Sequence, residues 1–486
     1  MSSYFTDLAQ QYIDGEWRPG TGSWDIIDFN PYDGEKLAAI TIATVGEIDQ
    51  AYRAAARAQR EWAEAGSHAR RAVLEKVLRL VEERELELTE AIVCELGGTR
   101  VKAGFELHLA KEFLREAVSL TTRTEHRLIP SPDPGKENRL YRVPVGVVGV
   151  ISPFNFPFLL SLKSVAPALA LGNAVVLKPH QDTPVVGGTA IARLFEDAGL
   201  PAGVLNVVVT DIAEINDAFL EHPVPKVISF TGSDKVGRHV ATVCARHFKR
   251  AILELGGNSA LVVLDDADLD YAVDAAVFSR YVHQGQVCMA ANRILVDRSV
   301  AGAFTEKFVA KVRGLKAGDP SDPETVIGPL INSSQSEAIT SVVDQAIAEG
   351  ATALLRGSTR GNLVEPSVLT DVPADSGLLR QEIFGPVALL VPFDGEEEAV
   401  RLVNDTPFGL SGAVHTADVE RGVRFAQRID TGMFHVNDGT VHDEPLVPFG
   451  GEKDSGLGRL NGETTLDAFT TLKWISVQHG RSRFPF

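Results

Sequence analysis

Cysteine is scarce: Cys94, Cys244 and Cys288 are the three in a chain of 486 residues. So few exclude a disulfide framework and fit a reducing, cytoplasmic setting. Metal-ligand spacing is missing too, with no Cys-x-x-Cys pair and no two histidines set for zinc beside a carboxylate base, so no metal is expected. No run reaches the roughly eighteen apolar residues of a membrane span. The stretch Met1 to Asp7 lacks a basic segment followed by an apolar one, so no signal peptide and no membrane attachment are expected. Positive charge is in deficit, 47 Lys and Arg against 65 Asp and Glu, a net −18 that argues against a nucleic-acid partner and favours solubility. Repeats and low-complexity blocks are absent. What is present is an ordinary globular composition, 44% hydrophobic and 23% charged, in a chain long enough for two lobes.

Along the chain, Tyr12 to Trp17 sets Asp14-Gly15 between strand-like residues, a tight hairpin. From Val45 to Thr99 apolar residues recur at three- and four-residue spacing, which predicts helix, with Cys94 in a structural place inside it. A further helix covers Val101 to Leu120. The Pro-rich, polar Leu128 to Asn138 reads as an exposed excursion. Then strand and helix alternate. Val145–Ile151 is a strand, Leu159–Leu171 a helix ending in the Gly172-Asn173 cap, and Ala174–Leu177 a strand. Helix Val185–Ala198, strand Val204–Val209, helix Ile212–Leu220 and strand Lys226–Phe230 continue the pattern. Such alternation makes an α/β fold with a parallel sheet, whose ligands gather beyond the carboxyl ends of the strands. Asn155, Lys178 and Thr231-Gly232-Ser233 fall at those ends. Ser233 opens a helix whose free N–H groups suit a phosphate, and an ordinary N-cap is the competing reading. A second lobe starts near Asn258, with a strand at Ala260–Leu264 and another at Val387–Val391, and the tail Thr470–Val477 is a strand suited to pairing with an edge.

Chemistry concentrates at His283-Gln284-Gly285-Gln286-Val287-Cys288-Met289-Ala290 and at Glu254-Leu255-Gly256-Gly257-Asn258. A thiol that attacks carbon and a carboxylate that activates water suffice to make and hydrolyse a thioester. Either residue alone carries little, since a lone cysteine is more often a small buried hydrophobe and a lone glutamate a solvated charge.

Six motifs follow one another in order: SPFNFP at 152–157, FTGS at 230–233, ELGGN at 254–258, GQVC at 285–288, EIFGP at 382–386 and PFGG at 448–451. Together they resemble the aldehyde dehydrogenase superfamily over essentially the whole chain. The region from His435-Val436-Asn437-Asp438 through Asp443-Glu444-Pro445 to Gly451 resembles its benzaldehyde and vanillin dehydrogenase branch. The resemblance implies a Rossmann-like NAD(P)-binding domain over residues 1–122 and 143–255 and an α/β catalytic domain over 256–452. It also implies an arm and tail at 123–142 and 465–486 that build a homodimer or homotetramer. Cys288 is then the nucleophile, Asn155 the amide that steadies the oxyanion together with the Cys288 N–H, and Glu254 the base that hydrolyses the thioester. Lys163 matches a lysine near the site, against the competing reading of a surface lysine on a helix.

For the cofactor, NAD or NADP, Lys178 matches the lysine on the adenosine ribose and Ser233 the pyrophosphate contact. Glu382 and Phe384 match residues that hold the nicotinamide ribose and flank its ring. Ser152, Phe154, Gln181, Gly232, Gly237, Leu255 and Gly256 complete the expected cofactor surface. Two positions depart from the family pattern. Gln181 stands where an acid often binds the ribose hydroxyls, which leaves NAD against NADP open. Leu460 follows Arg459 where many relatives carry a glutamate, which suits a drier, more apolar site. Phe158, Leu159, Val287, Met289 and Phe449 are expected to line a pocket for an aromatic or apolar aldehyde, with core packing the alternative for each. The expected activity is oxidation of an aromatic aldehyde to its acid. The alternatives are transfer of the acyl group to coenzyme A, which the presence of Glu254 disfavours, and a non-catalytic protein of the same fold.

Overall fold

The computed structural model describes residues 2–123 and 126–486. Met1 at the N-terminus and Thr124 and Glu125 at the start of the expected arm lie outside the described residues.

Five short, buried strands, rich in Val, Ile and Leu, form the first sheet: Val147–Ile151 (β1), Ala174–Lys178 (β2), Leu205–Val207 (β3), Val227–Thr231 (β4) and Arg250–Glu254 (β5). All pair in parallel, in the order β3-β2-β1-β4-β5. The hairpin of Gln11–Ile13 and Glu16–Arg18 extends the β3 edge, and Gly456–Leu457 runs antiparallel on the β5 edge. Asp14 and Gly15 turn that hairpin with φ of 56° and 81°, the consecutive left-handed pair that matches strand twist. Strand order reverses at β1, so a crevice opens where β1 and β4 end.

The expected helix over Ile212–Leu220 is two short ones, Ile212–Ile215 and Ala218–Glu221, because Asn216 takes φ 45° and stops the first. Val185–Ala198 likewise opens with a π turn, Val185–Thr189, before the α-helix Ala190–Asp197.

The second sheet contains Ser259–Val263 (β6), Ala291–Asp297 (β7), Ser367–Thr370 (β8), Val387–Phe393 (β9) and Gly412–His415 (β10), parallel in the order β8-β9-β7-β6-β10. Thr352–Leu355 runs antiparallel beside β8, and His435–Val436 parallel beside β10. A third, antiparallel sheet joins the tail strand Thr470–Gln478 to Lys136–Pro144 over nine register pairs, and that strand to His126–Ile129. Leu128, Leu472 and Trp474 stay exposed on it. Among the described residues, no helix is long and apolar enough to cross a membrane, and no group of three His, Cys, Asp or Glu side chains is placed to hold a metal ion.

Candidate active site

After β1 the chain runs through Ser152 to Phe156 into helix α1, Pro157–Ala170, where proline at the first position supplies the helical φ. The buried Glu106 carboxylate accepts hydrogen bonds from the N–H groups of Phe158 and Leu159 at 2.9 and 3.1 Å, an anion at the positive end of the helix. Lys102 pairs with that carboxylate. Asn155 is thereby fixed just before α1, and its Nδ2 donates to the Gln286 carbonyl at 2.9 Å. Phe158, expected in the substrate pocket, is fully buried in the core and does not line the cavity. One residue of helix phase separates it from Leu159, which does.

From β4, Thr231-Gly232-Ser233 leads into helix α2, Asp234–Arg246. Ser233 Oγ caps that helix, accepting from the Val236 N–H at 3.4 Å, and the residue also lines the crevice. The N-cap reading of Ser233 is thus met in the structure. Gly237 does not line the crevice. A Cβ there would sit 2.4 Å from the Leu255 side chain, so it lets α2 pack on Leu255, which does line it.

Cys288 follows a sharp reversal. Helix α3, Leu269–Tyr281, ends, and His283, Gln284 and Gly285 all take positive φ, 50°, 54° and 75°. Such backbone costs roughly 1–3 kcal/mol per non-glycine residue unless its surroundings hold it. Arg280, fully buried, does the holding: Nη2 donates to the carbonyls of Gly285 and Ile383 at 3.0 and 3.1 Å, and Nη1 to Asn292 Oδ1 at 2.9 Å. Gln284 donates to the Pro329 carbonyl at 2.8 Å, and Gln286 Oε1 accepts from the Ile331 N–H at 3.1 Å. The glycine pair after Glu254 makes room for two neighbours. A Cβ on Gly257 would lie 2.4 Å from the Cys288 carbonyl oxygen, and one on Gly256 would lie 2.6 Å from the Glu382 carboxylate.

Glu254 ends β5, buried, with neither carboxylate oxygen hydrogen-bonded within the described residues. Burial pushes its carboxyl up to about 8, against the opposing pull of Lys163. Burial likewise pushes the Cys288 thiol up to about 12, with the Glu382 and Glu254 carboxylates adding to it and Lys163 working the other way. Glu382 rises to about 7 by burial, although its carboxylate accepts from the Gly257 N–H at 3.0 Å. Lys163 is no surface lysine. It is buried and ion-paired to Asp443 at 2.6 Å.

Cys288 lines two cavities. A crevice of about 520 Å³ lies at the carboxyl ends of β1, β2 and β4, and a narrow cavity of about 50 Å³ lies on the other side. Asn155, Leu160, Thr231, Glu254 and Cys288 line both. The crevice gathers Ser152, Phe154, Lys178, Gln181, Gly232, Ser233, Leu255, Gly256, Glu382 and Phe384. Rings of Phe154 and Phe384 meet edge to face at 5.8 Å. Burial pulls the Lys178 ammonium down to about 8, with Asp211 across the crevice opposing the shift. A capped helix start, an ammonium at the end of β2 and a carboxyl beside two rings are donors and acceptors that fit a dinucleotide at a switch point. The narrow cavity is lined by Leu159, Val287, Met289 and Phe449. It also takes Phe105 and Leu109, one turn apart on the helix Arg100–Leu120, together with Asp443 and Leu460. The i, i+4 spacing of Phe105 and Leu109 was visible in the sequence, but nothing in it pointed at this cavity.

A dinucleotide-type crevice backed by an apolar cavity, with a thiol, an amide and a carboxyl between them, is the layout expected of an oxidoreductase. A model of the aldehyde dehydrogenase family matches residues 17–475, and the chain belongs to that family. The chain is 56% identical over 482 residues to benzaldehyde dehydrogenase YfmT of Bacillus subtilis (strain 168), covering 99% of each. A vanillin dehydrogenase of Corynebacterium glutamicum is 47% identical over 474 residues, 97% of this chain and 98% of its own. The crystal structure of an NAD-dependent benzaldehyde dehydrogenase from Corynebacterium glutamicum matches with a TM-score of 0.90 at 44% identity, over 99% of both chains.

Proposed function

We propose that this enzyme oxidises an aromatic aldehyde to its carboxylic acid with NAD, through a thioester on Cys288. One observation carries the reading: Cys288, Asn155 and Glu254 all line the junction between a dinucleotide-sized crevice and an apolar cavity. The names of similar proteins, benzaldehyde and vanillin dehydrogenases and an NAD-dependent structure, support the substrate class and the cofactor.

Cys288 must lose its proton first, and its surroundings resist this. The thiolate adds to the aldehyde carbon and creates an oxyanion. Asn155 Nδ2 turns from the Gln286 carbonyl to that oxygen, and the Cys288 N–H is the second donor. Each donor of such a pair commonly lowers the barrier by about 3–4 kcal/mol. The nicotinamide ring, when bound, supplies the hydride acceptor. Loss of hydride from the adduct leaves a thioester. Glu254 then takes a proton from water, hydroxide adds to the thioester carbon, the C–S bond breaks, and the acid leaves with the thiolate restored. Glu382, Phe384, Lys178 and Ser233 hold the dinucleotide in this reading, with Gln181 at the adenosine ribose.

In the same reading residues 1–122 and 143–255 are the cofactor domain, 256–452 the catalytic domain, and 123–142 with 465–486 the arm and tail of a homo-oligomer. Leu472 and Trp474, exposed at alternate positions on one face of the tail strand, support the last assignment. Three free cysteines suit the cytoplasm. The test is absorbance at the reduced-nicotinamide band with benzaldehyde and NAD, without coenzyme A. Silence across a panel of aldehydes with both dinucleotides would overturn the proposal.

A further inference from the structure

The wall of the narrow cavity is largely apolar, with Phe105, Leu109, Val287, Met289, Phe449 and Leu460, yet an ion pair is built into it. Lys163 of α1 is 4% exposed, and its Nζ donates to Asp443 Oδ2 at 2.6 Å. Asn461 Nδ2 donates to the other carboxylate oxygen at 2.8 Å, so Asp443 is engaged on both sides. Lys163 is not. An ammonium carries three N–H donors, and Asp443 is its single hydrogen-bond partner among the described residues. Aromatic rings occupy its other sides, the Phe449 centroid at 3.4 Å and that of Phe113 at 5.1 Å. Ring faces attract the cation without taking up its remaining protons as an oxygen would.

Fold stability gives no reason for this arrangement. Replacing a buried ion pair by apolar residues of similar volume is often neutral or stabilising. A charge kept in an apolar wall, with donors unspent and the cavity in front of it, suits a ligand that brings an oxygen. We propose that Lys163 and Asp443 determine substrate specificity by reading an oxygen substituent on the ring of the aldehyde. The oxygen accepts from Lys163 and, where it is a hydroxyl, donates to Asp443. The assignment rests on the cavity being the aldehyde site.

The test compares kcat/KM for benzaldehyde and its 2-, 3- and 4-hydroxy derivatives, with NAD saturating. The enzymes are the wild type, Lys163→Met, Asp443→Asn and the double variant Lys163→Met/Asp443→Leu. The wild type is expected to favour at least one hydroxy isomer over benzaldehyde. That ratio should fall fivefold or more in every variant, mainly through KM. It is taken within one preparation, so a partly unfolded sample cancels. The double variant leaves no lone buried charge and answers the question even where a single variant fails to fold. A wild type without preference, or a ratio that falls less than fivefold in the double variant, would overturn the assignment. No turnover of any aldehyde by the wild type would overturn the proposed function, and this assignment with it.

Discussion

Hydrolysis of the thioester should accelerate with pH through about 8, because the carboxyl of Glu254 titrates there. The cause is burial, which disfavours the charged carboxylate, and Lys163 offsets this only in part. A protonated carboxyl takes no proton from water, so only the ionised fraction works as a base. With a midpoint near 8, about one molecule in eleven carries the base at pH 7 and about ten in eleven at pH 9, so the hydrolytic step gains about tenfold over that range. A carboxyl at its ordinary value near 4.5 would be flat there. Rapid mixing of enzyme, NAD and aldehyde separates the steps. A burst of reduced nicotinamide reports acylation, and the slower linear phase reports hydrolysis. The slope of that phase should follow the ionisation, while Glu254→Gln should keep the burst and leave a slow, pH-independent slope. A slope unchanged between pH 6 and 9 in the wild type would refute the reasoning, as would full steady-state turnover by the variant.

The same shift has a sign in stability. The folded chain keeps a proton on Glu254 that the unfolded chain releases above its ordinary 4.5, so stability from this group is present below that pH and is lost as the pH rises to about 8. Glu254→Gln should therefore raise Tm over the wild type by more at pH 8 than at pH 5, and equal differences would count against the shift. Cys288→Ala should abolish oxidation while calorimetry still shows NAD binding; retained turnover would remove the nucleophile assignment. Asn155→Ala is expected to lower kcat by about 10²–10³ with little change in NAD affinity, and a change under tenfold would leave the oxyanion to other donors. In Gly257→Ala the new methyl meets the Cys288 carbonyl oxygen at 2.4 Å, which displaces the nucleophile and should cost about 10² in kcat.

The parts of this site legible in the sequence are those fixed by local order. Strand–helix alternation placed Asn155, Lys178 and Ser233 at strand ends, because that pattern depends on a few neighbouring residues. Lys163 was ambiguous for the opposite reason. Its partner Asp443 stands 280 positions away, and burial of the pair exists only once α1 and the segment that carries Asp443 meet. Phe158 and Leu159 share composition and neighbourhood, and the phase of one helix, set by the distant Glu106, decides which faces the cavity. Helix Ile212–Leu220 failed on a single backbone angle at Asn216, which apolar periodicity does not report.

Cys288 stands as a partition between two chambers that share five lining residues. In the proposed function the aldehyde takes one chamber and the dinucleotide the other. The walls of one chamber are free to drift in sequence while those of the other stay fixed, so a lineage built on this plan can change its diet of aldehydes without relearning how to hold a nucleotide.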